Sequence, residues 1–116
     1  MNAAPRQAAD ARAVAYLTAH YVPTGALTRP VLTLHTTDDP LTVSANEGSY
    51  AAKVAARGKG RLLRQVFVAR TGHCAFQPEE MVAAVDMLAQ RVETGRWAPL
   101  PRAPFTAFKP GRLLRP

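Results

Sequence analysis

A single cysteine, Cys74, excludes an intrachain disulfide framework in this 116-residue chain, and without a second cysteine there is no paired-thiolate spacing for zinc. No apolar run approaches the roughly 20 residues a membrane span needs, and the opening stretch MNAAPRQAADAR lacks the apolar core of a signal peptide. The chain therefore reads as soluble and, as it stands, cytoplasmic, although a full-length relative could be exported. Aromatic residues are scarce at 7%, and Tyr50, Phe67, Phe76 and Trp97 fall on different elements, which suits packing better than a binding platform. Acidic residues are absent after Glu93, while Arg96, Arg102, Lys109, Arg112 and Arg115 follow it. Much of the net charge of +7 therefore belongs to the C-terminus and not to a folded face. With no helix-turn-helix spacing, RNA-binding aromatic signature or finger, nucleic acid is not the expected partner. The 47% hydrophobic and 20% charged residues are those of one globular domain.

Periodicity predicts helix, strand, helix, strand, helix. Gln7 to His20 is alanine-rich, with Ala11, Val14, Ala15 and Leu17 at helical spacing. Pro30 leads into a β-type run from Val31 to Thr36. The stretch from Ser44 to Arg57 is a crossover helix, opened by a Ser44/Glu47 capping-box spacing and closed by Gly58 and Gly60. Leu62 to Ala69 is a second strand. A third helix starts at Pro78, carries Glu79 and Glu80 at its positive end, and stops at Gly95. Its stripe of Met81, Val85, Leu88 and Val92 is expected to face the core. Residues 98–116 hold so many prolines that they read as an extended, poorly packed Pro/Arg-rich tail. A strand–helix–strand unit of this length implies parallel pairing. Two parallel strands with three helices leave a sheet edge and apolar helix faces uncovered, and that edge could take a protein partner or a second copy.

The groups with chemistry stand at the two strand ends. His35-Thr36-Thr37-Asp38-Asp39-Pro40 follows the first strand, and Gly72-His73-Cys74 follows the second. Carboxyl ends of parallel strands are where open α/β sheets gather functional side chains. An aspartate there can fix the tautomer of a neighbouring histidine and stabilise its charged form, which makes two thirds of a catalytic triad. Plainer readings exist: a loop histidine held for structure, and an Asp-Pro turn capped by Asp38 or Asp39. Cys74 is expected to be a small buried residue, since neighbours in an extended segment point apart and its thiol would miss His73. His35, Asp38, Asp39 and His73 lack a characteristic ligand spacing, so no metal or other cofactor is expected.

The stretch Pro30-Val31-Leu32-Thr33-Leu34-His35-Thr36-Thr37-Asp38-Asp39-Pro40-Leu41, followed by Gly72-His73-Cys74-Ala75-Phe76, resembles the C-terminal part of α/β-hydrolases. The resemblance runs from about Ala8 to Trp97. It implies a partial α/β-hydrolase fold over residues 1–97, with Asp39 as the triad acid, counted from His35, and His73 as the base. Thr36 departs from the glycine common in that family's acid loop. The family's Gly-x-Ser-x-Gly elbow is missing: Ser44 and Ser49 are the only serines, both fall in the crossover helix, and neither has the flanking glycines. The resemblance therefore implies a truncated or split hydrolase, inactive alone, that acts on an ester or amide when a serine-bearing half completes it. The competing reading is a non-catalytic protein-interaction module on the same scaffold.

Overall fold

A computed structural model describes residues 7–101 and 105–107. Arg102, Lys109, Arg112 and Arg115 of the basic C-terminus lie outside the described residues. The elements are α1 (Ala11–His20), β1 (Val31–Asp38), α2 (Ala45–Ala56), a short 3₁₀ turn (Gly60–Leu62), β2 (Leu63–Thr71), α3 (Pro78–Thr94) and β3 (Phe105–Ala107). The arrangement is α/β. β1 and β2 pair in parallel from Val31↔Leu63 to Thr36↔Val68, with a slip before Asp38↔Thr71.

Strand alternation sends the two faces of this sheet to different helices. On one face, Thr33 and Gln65 meet the crossover helix: the Thr33 hydroxyl donates to Glu47 Oε2 at 2.5 Å, and Gln65 Nε2 donates to the same oxygen at 2.6 Å. Glu47 therefore braces the strands. The Ser44/Glu47 capping box expected from spacing does not form, because Ser44 makes no side-chain cap and Glu47 is taken by the sheet. Gly25 is buried beneath this helix at φ +74°, where a Cβ would overlap the Lys53 and Val54 backbone. On the other face, Val66 packs with Ala84 and Met87 of α3, joined by Leu32, Leu34, Leu100 and Phe105.

Two further findings depart from expectation. Most of the stripe of α3 is turned outward: Met81, Val85 and Val92 are exposed and Leu88 is half-buried, while Glu80, Ala84, Met87 and Arg91 are buried. Tertiary partners of Glu80 and Arg91 decide that rotation, as set out below. Within segment 98–116, expected to be a poorly packed tail, Leu100 and Phe105 are partly buried against the core, while Pro99 and Pro101 are exposed. Phe105–Ala107 add an antiparallel third strand beside Val66–Val68, and Arg64 donates to the Ala98 carbonyl. Leu100 and Phe105 bring apolar area to the core, which outweighs the preference of a proline-rich segment for water.

Among the described residues the sheet order β1-β2-β3 leaves β1 at an edge. Val14, Tyr16, Leu17 and Tyr21 in and after α1 are all exposed. Among the described residues no helix is long and apolar enough to cross a membrane.

Candidate active site

The parallel pairing brings the loops after β1 and β2 side by side. Asp38 is held by the neighbouring strand end, its Oδ2 accepting from the Thr71 hydroxyl at 2.9 Å and its carbonyl from the Gly72 amide at 2.9 Å. The next carboxylate points into the site. His73 Nδ1 donates to Asp39 Oδ2 at 2.8 Å. The other oxygen, Oδ1, accepts from the amides of Leu41 at 2.8 Å and Thr42 at 2.9 Å. Asp39 thus both caps the turn through Pro40 and orients the imidazole, one oxygen for each task.

The Asp39 side chain is 5% exposed and the His73 side chain 43%. Burial by itself raises the Asp39 carboxyl, but the Thr42 amide, His73 and the Leu41 amide together outweigh it and bring the pKa to about 2. The carboxylate is therefore ionised throughout the range in which an imidazole works. Facing that anion, a neutral imidazole places its hydrogen on Nδ1 and its lone pair on Nε2.

The loop that carries His73 is fastened at both ends. The Thr36 hydroxyl donates to the Gly72 carbonyl at 2.7 Å. Arg70 Nη1 donates to the Ala75 carbonyl at 2.6 Å, and the guanidinium clasps both Glu80 oxygens, at 2.7 and 2.8 Å. Glu80 also accepts from the Gln77 amide at 2.8 Å, in the capping box that opens α3. Its hydrogen bond with Arg70 holds the carboxyl below the usual range, and Glu80 holds the guanidinium above its own. This clasp ties the end of β2, the histidine loop and the start of α3 into one unit. Sequence reasoning assigns Glu80 to the helix dipole and passes over Arg70. The available signal is Gln77-x-x-Glu80, a capping-box spacing immediately after the histidine loop.

Part of the chain is similar to an amidase. Over 68 residues it is 35% identical to the o-phthalyl amidase of Xanthobacter agilis, a match covering 59% of this chain and 15% of that protein. The chain thus spans a small fraction of the relative's length. No described protein family matches it. No solved structure matches it either.

The remaining candidates fall away from the pair. His35 is buried against Phe67, with ring centroids 5.7 Å apart, and its Nδ1 donates to the Thr36 carbonyl at 2.6 Å. Ser44 stands at the start of α2 and Ser49 within it; neither hydrogen-bonds His73 among the described residues. The group beside the free imidazole nitrogen is Cys74. Against the expectation of a buried thiol turned away, it is exposed, and its Sγ lies 3.6 Å from His73 Nε2. The segment is not extended there, since Cys74 takes φ +50° after Gly72 at φ +119°. A thiol or hydroxyl placed at Nε2 can surrender its proton to this imidazole, and Asp39 stabilises the cation that results.

Proposed function

We propose that this chain contributes the acid and the base of a serine-type amide or ester hydrolase, with the serine supplied by a segment outside these residues. The observation that carries the reading is the Asp39–His73 hydrogen bond of 2.8 Å, made at the carboxyl ends of adjacent parallel strands by a carboxylate whose second oxygen is already fixed. The 35% identity to an amidase supports it. Asp39 holds the histidine with Nε2 available. His73 takes the proton of the incoming serine hydroxyl as that oxygen bonds to the acyl carbon, then returns the proton to the departing amine or alcohol. In a second half-reaction His73 takes a proton from water as the water oxygen bonds to the acyl carbon, then gives that proton to the serine oxygen as the ester bond breaks, which releases the acid and restores the serine. Without that serine the acyl-enzyme route is closed, so the chain alone is inactive as a serine hydrolase.

A chimera tests this. The matching segment of the Xanthobacter agilis amidase is exchanged for the corresponding residues of this chain, and amide hydrolysis is measured. The expected result is an active chimera that loses activity by about 10³-fold or more on His73→Ala. A folded, active chimera indifferent to that substitution refutes the assignment.

A further inference from the structure

At the opposite end of the sheet, where β1 and β2 begin, Arg29 and Pro30, Leu62, and Leu88, Arg91 and Val92 of α3 line an open cavity of about 520 Å³. A strand rise of about 3.3 Å per residue puts it roughly 25–30 Å from Asp39 and His73, so it is a separate site. Two of its six lining residues are arginines, and none is acidic.

Arg91 is the unusual member. It is 8% exposed, forms no ion pair among the described residues, and its Nε–H is buried without an acceptor. A guanidinium taken out of water without a carboxylate is costly. What it has is the face of Trp97, 5.5 Å from the ring centroid, and the carbonyl end of α3, where Arg91 occupies the last turn. Trp97 also has Arg64 at 5.0 Å from its centroid, so a second cation stands near the same ring. Asp86 and Glu93, the acidic residues of α3 nearest in sequence, lie about 140–160° around the helix from Arg91 by the 3.6-residue turn. The local charge is therefore positive and unbalanced.

From these observations we infer that the Arg29–Arg91 cavity is a binding site for a small carboxylate with an apolar body. Its volume lies within the range of about 300–1,000 Å³ typical of small-molecule pockets. The charge it lacks is one anion, which a carboxylate offers in the planar form that guanidinium groups pair with. Pro30, Leu62, Leu88 and Val92 suit a hydrocarbon or aryl body, whereas inorganic phosphate would leave those walls facing water.

The test titrates the full chain with hexanoate, hexanamide and inorganic phosphate, following arginine Nε–H resonances by NMR. Hexanoate should give a saturable shift of the Arg91 signal at concentrations of about 1–10 mM or below, while hexanamide gives none and phosphate binds at least about tenfold more weakly. Arg91→Met should abolish the hexanoate response, which is then read at the Arg29 signal. Should that variant fail to fold, Arg29→Met, at an exposed position, should weaken hexanoate by about tenfold, read at Arg91 itself. Equal responses to hexanoate and hexanamide, phosphate binding as tightly as hexanoate, or no saturable response to hexanoate would each overturn the proposal.

Discussion

Asp39→Asn separates the two tasks that the structure assigns to one carboxylate. The amide oxygen of asparagine can still accept from the Leu41 and Thr42 amides, which Oδ1 does now at 2.8 and 2.9 Å. The turn should therefore survive. The other end becomes an NH₂, which cannot accept from His73 Nδ1–H, so the pair keeps its 2.8 Å contact only if the hydrogen moves from Nδ1 to Nε2. That switch removes the lone pair at the nitrogen that would serve as base. In the amidase chimera the loss should approach about 10⁴-fold in turnover, the scale seen when an orienting aspartate becomes asparagine and the tautomer inverts. The tautomer itself is read in the isolated chain from the imidazole nitrogen shifts at neutral pH: hydrogen on Nδ1 in the parent, on Nε2 in the variant. An unchanged tautomer, or a chimera that retains parent turnover after Asp39→Asn, would refute the orienting role. Titration gives a second measure. The carboxyl of Asp39 is depressed in the folded chain to about 2, from an ordinary value near 3.8. Its contribution to stability is therefore complete above roughly pH 4 and is lost as pH falls toward 2. Asp39→Asn should flatten the acid limb of the unfolding profile in that window and leave its neutral portion with the parent slope.

Three further outcomes follow from the packing. Gly25→Ala should destabilise the chain by about 3 kcal/mol or more, because a left-handed alanine costs about 1–2 kcal/mol and its Cβ must also displace the α2 backbone. Gly58→Ala, left-handed at φ +65° but with open space around it, should cost only the first of these, about 1–2 kcal/mol; equal losses in urea unfolding would contradict the close approach at Gly25. Glu80→Gln should free the Arg70 clasp and speed amide hydrogen exchange through residues 72–77 more than through β1, a difference that a purely global destabilisation would not produce. Phe105→Ala should lower stability by about 1–2 kcal/mol, since the ring is partly buried against the Val66 cluster; no change in melting temperature would show that β3 does not cover the core.

How far the site was legible depended on whether its partners were local. The apolar runs Val31–Thr36 and Leu62–Ala69, separated by a helical stretch, require a parallel pair joined by a crossover. That topology carries Asp38-Asp39 and His73 to the same end of the sheet whatever the side chains do next. Only the resemblance to α/β-hydrolases, counted from His35, points to Asp39 over Asp38, and the distinction becomes physical in the fold, where the Thr71 hydroxyl occupies one carboxylate and His73 the other. The Pro78 start and Gly95 stop of α3 are equally local, since φ preferences act within a residue or two.

What the sequence determined by itself, then, was the order α1-β1-α2-β2-α3, the parallel crossover, and the shared end for acid and histidine. Each rests on backbone preference or hydrophobic period, which neighbours in the chain settle among themselves. Tertiary structure decided the rest. The face that α3 buries was set by Arg70 reaching Glu80 and by Trp97 covering Arg91, against the reading of its own apolar stripe. The fate of Glu47 was set by Thr33 and Gln65, which drew it from a cap into the sheet. The thiol of Cys74 reached His73 through a left-handed turn that extended-chain geometry does not anticipate. In each case a partner outside the residue's own helix or strand, or a backbone state of the loop itself, outweighed a preference read from neighbouring residues alone, and such preferences cannot show which partner will arrive.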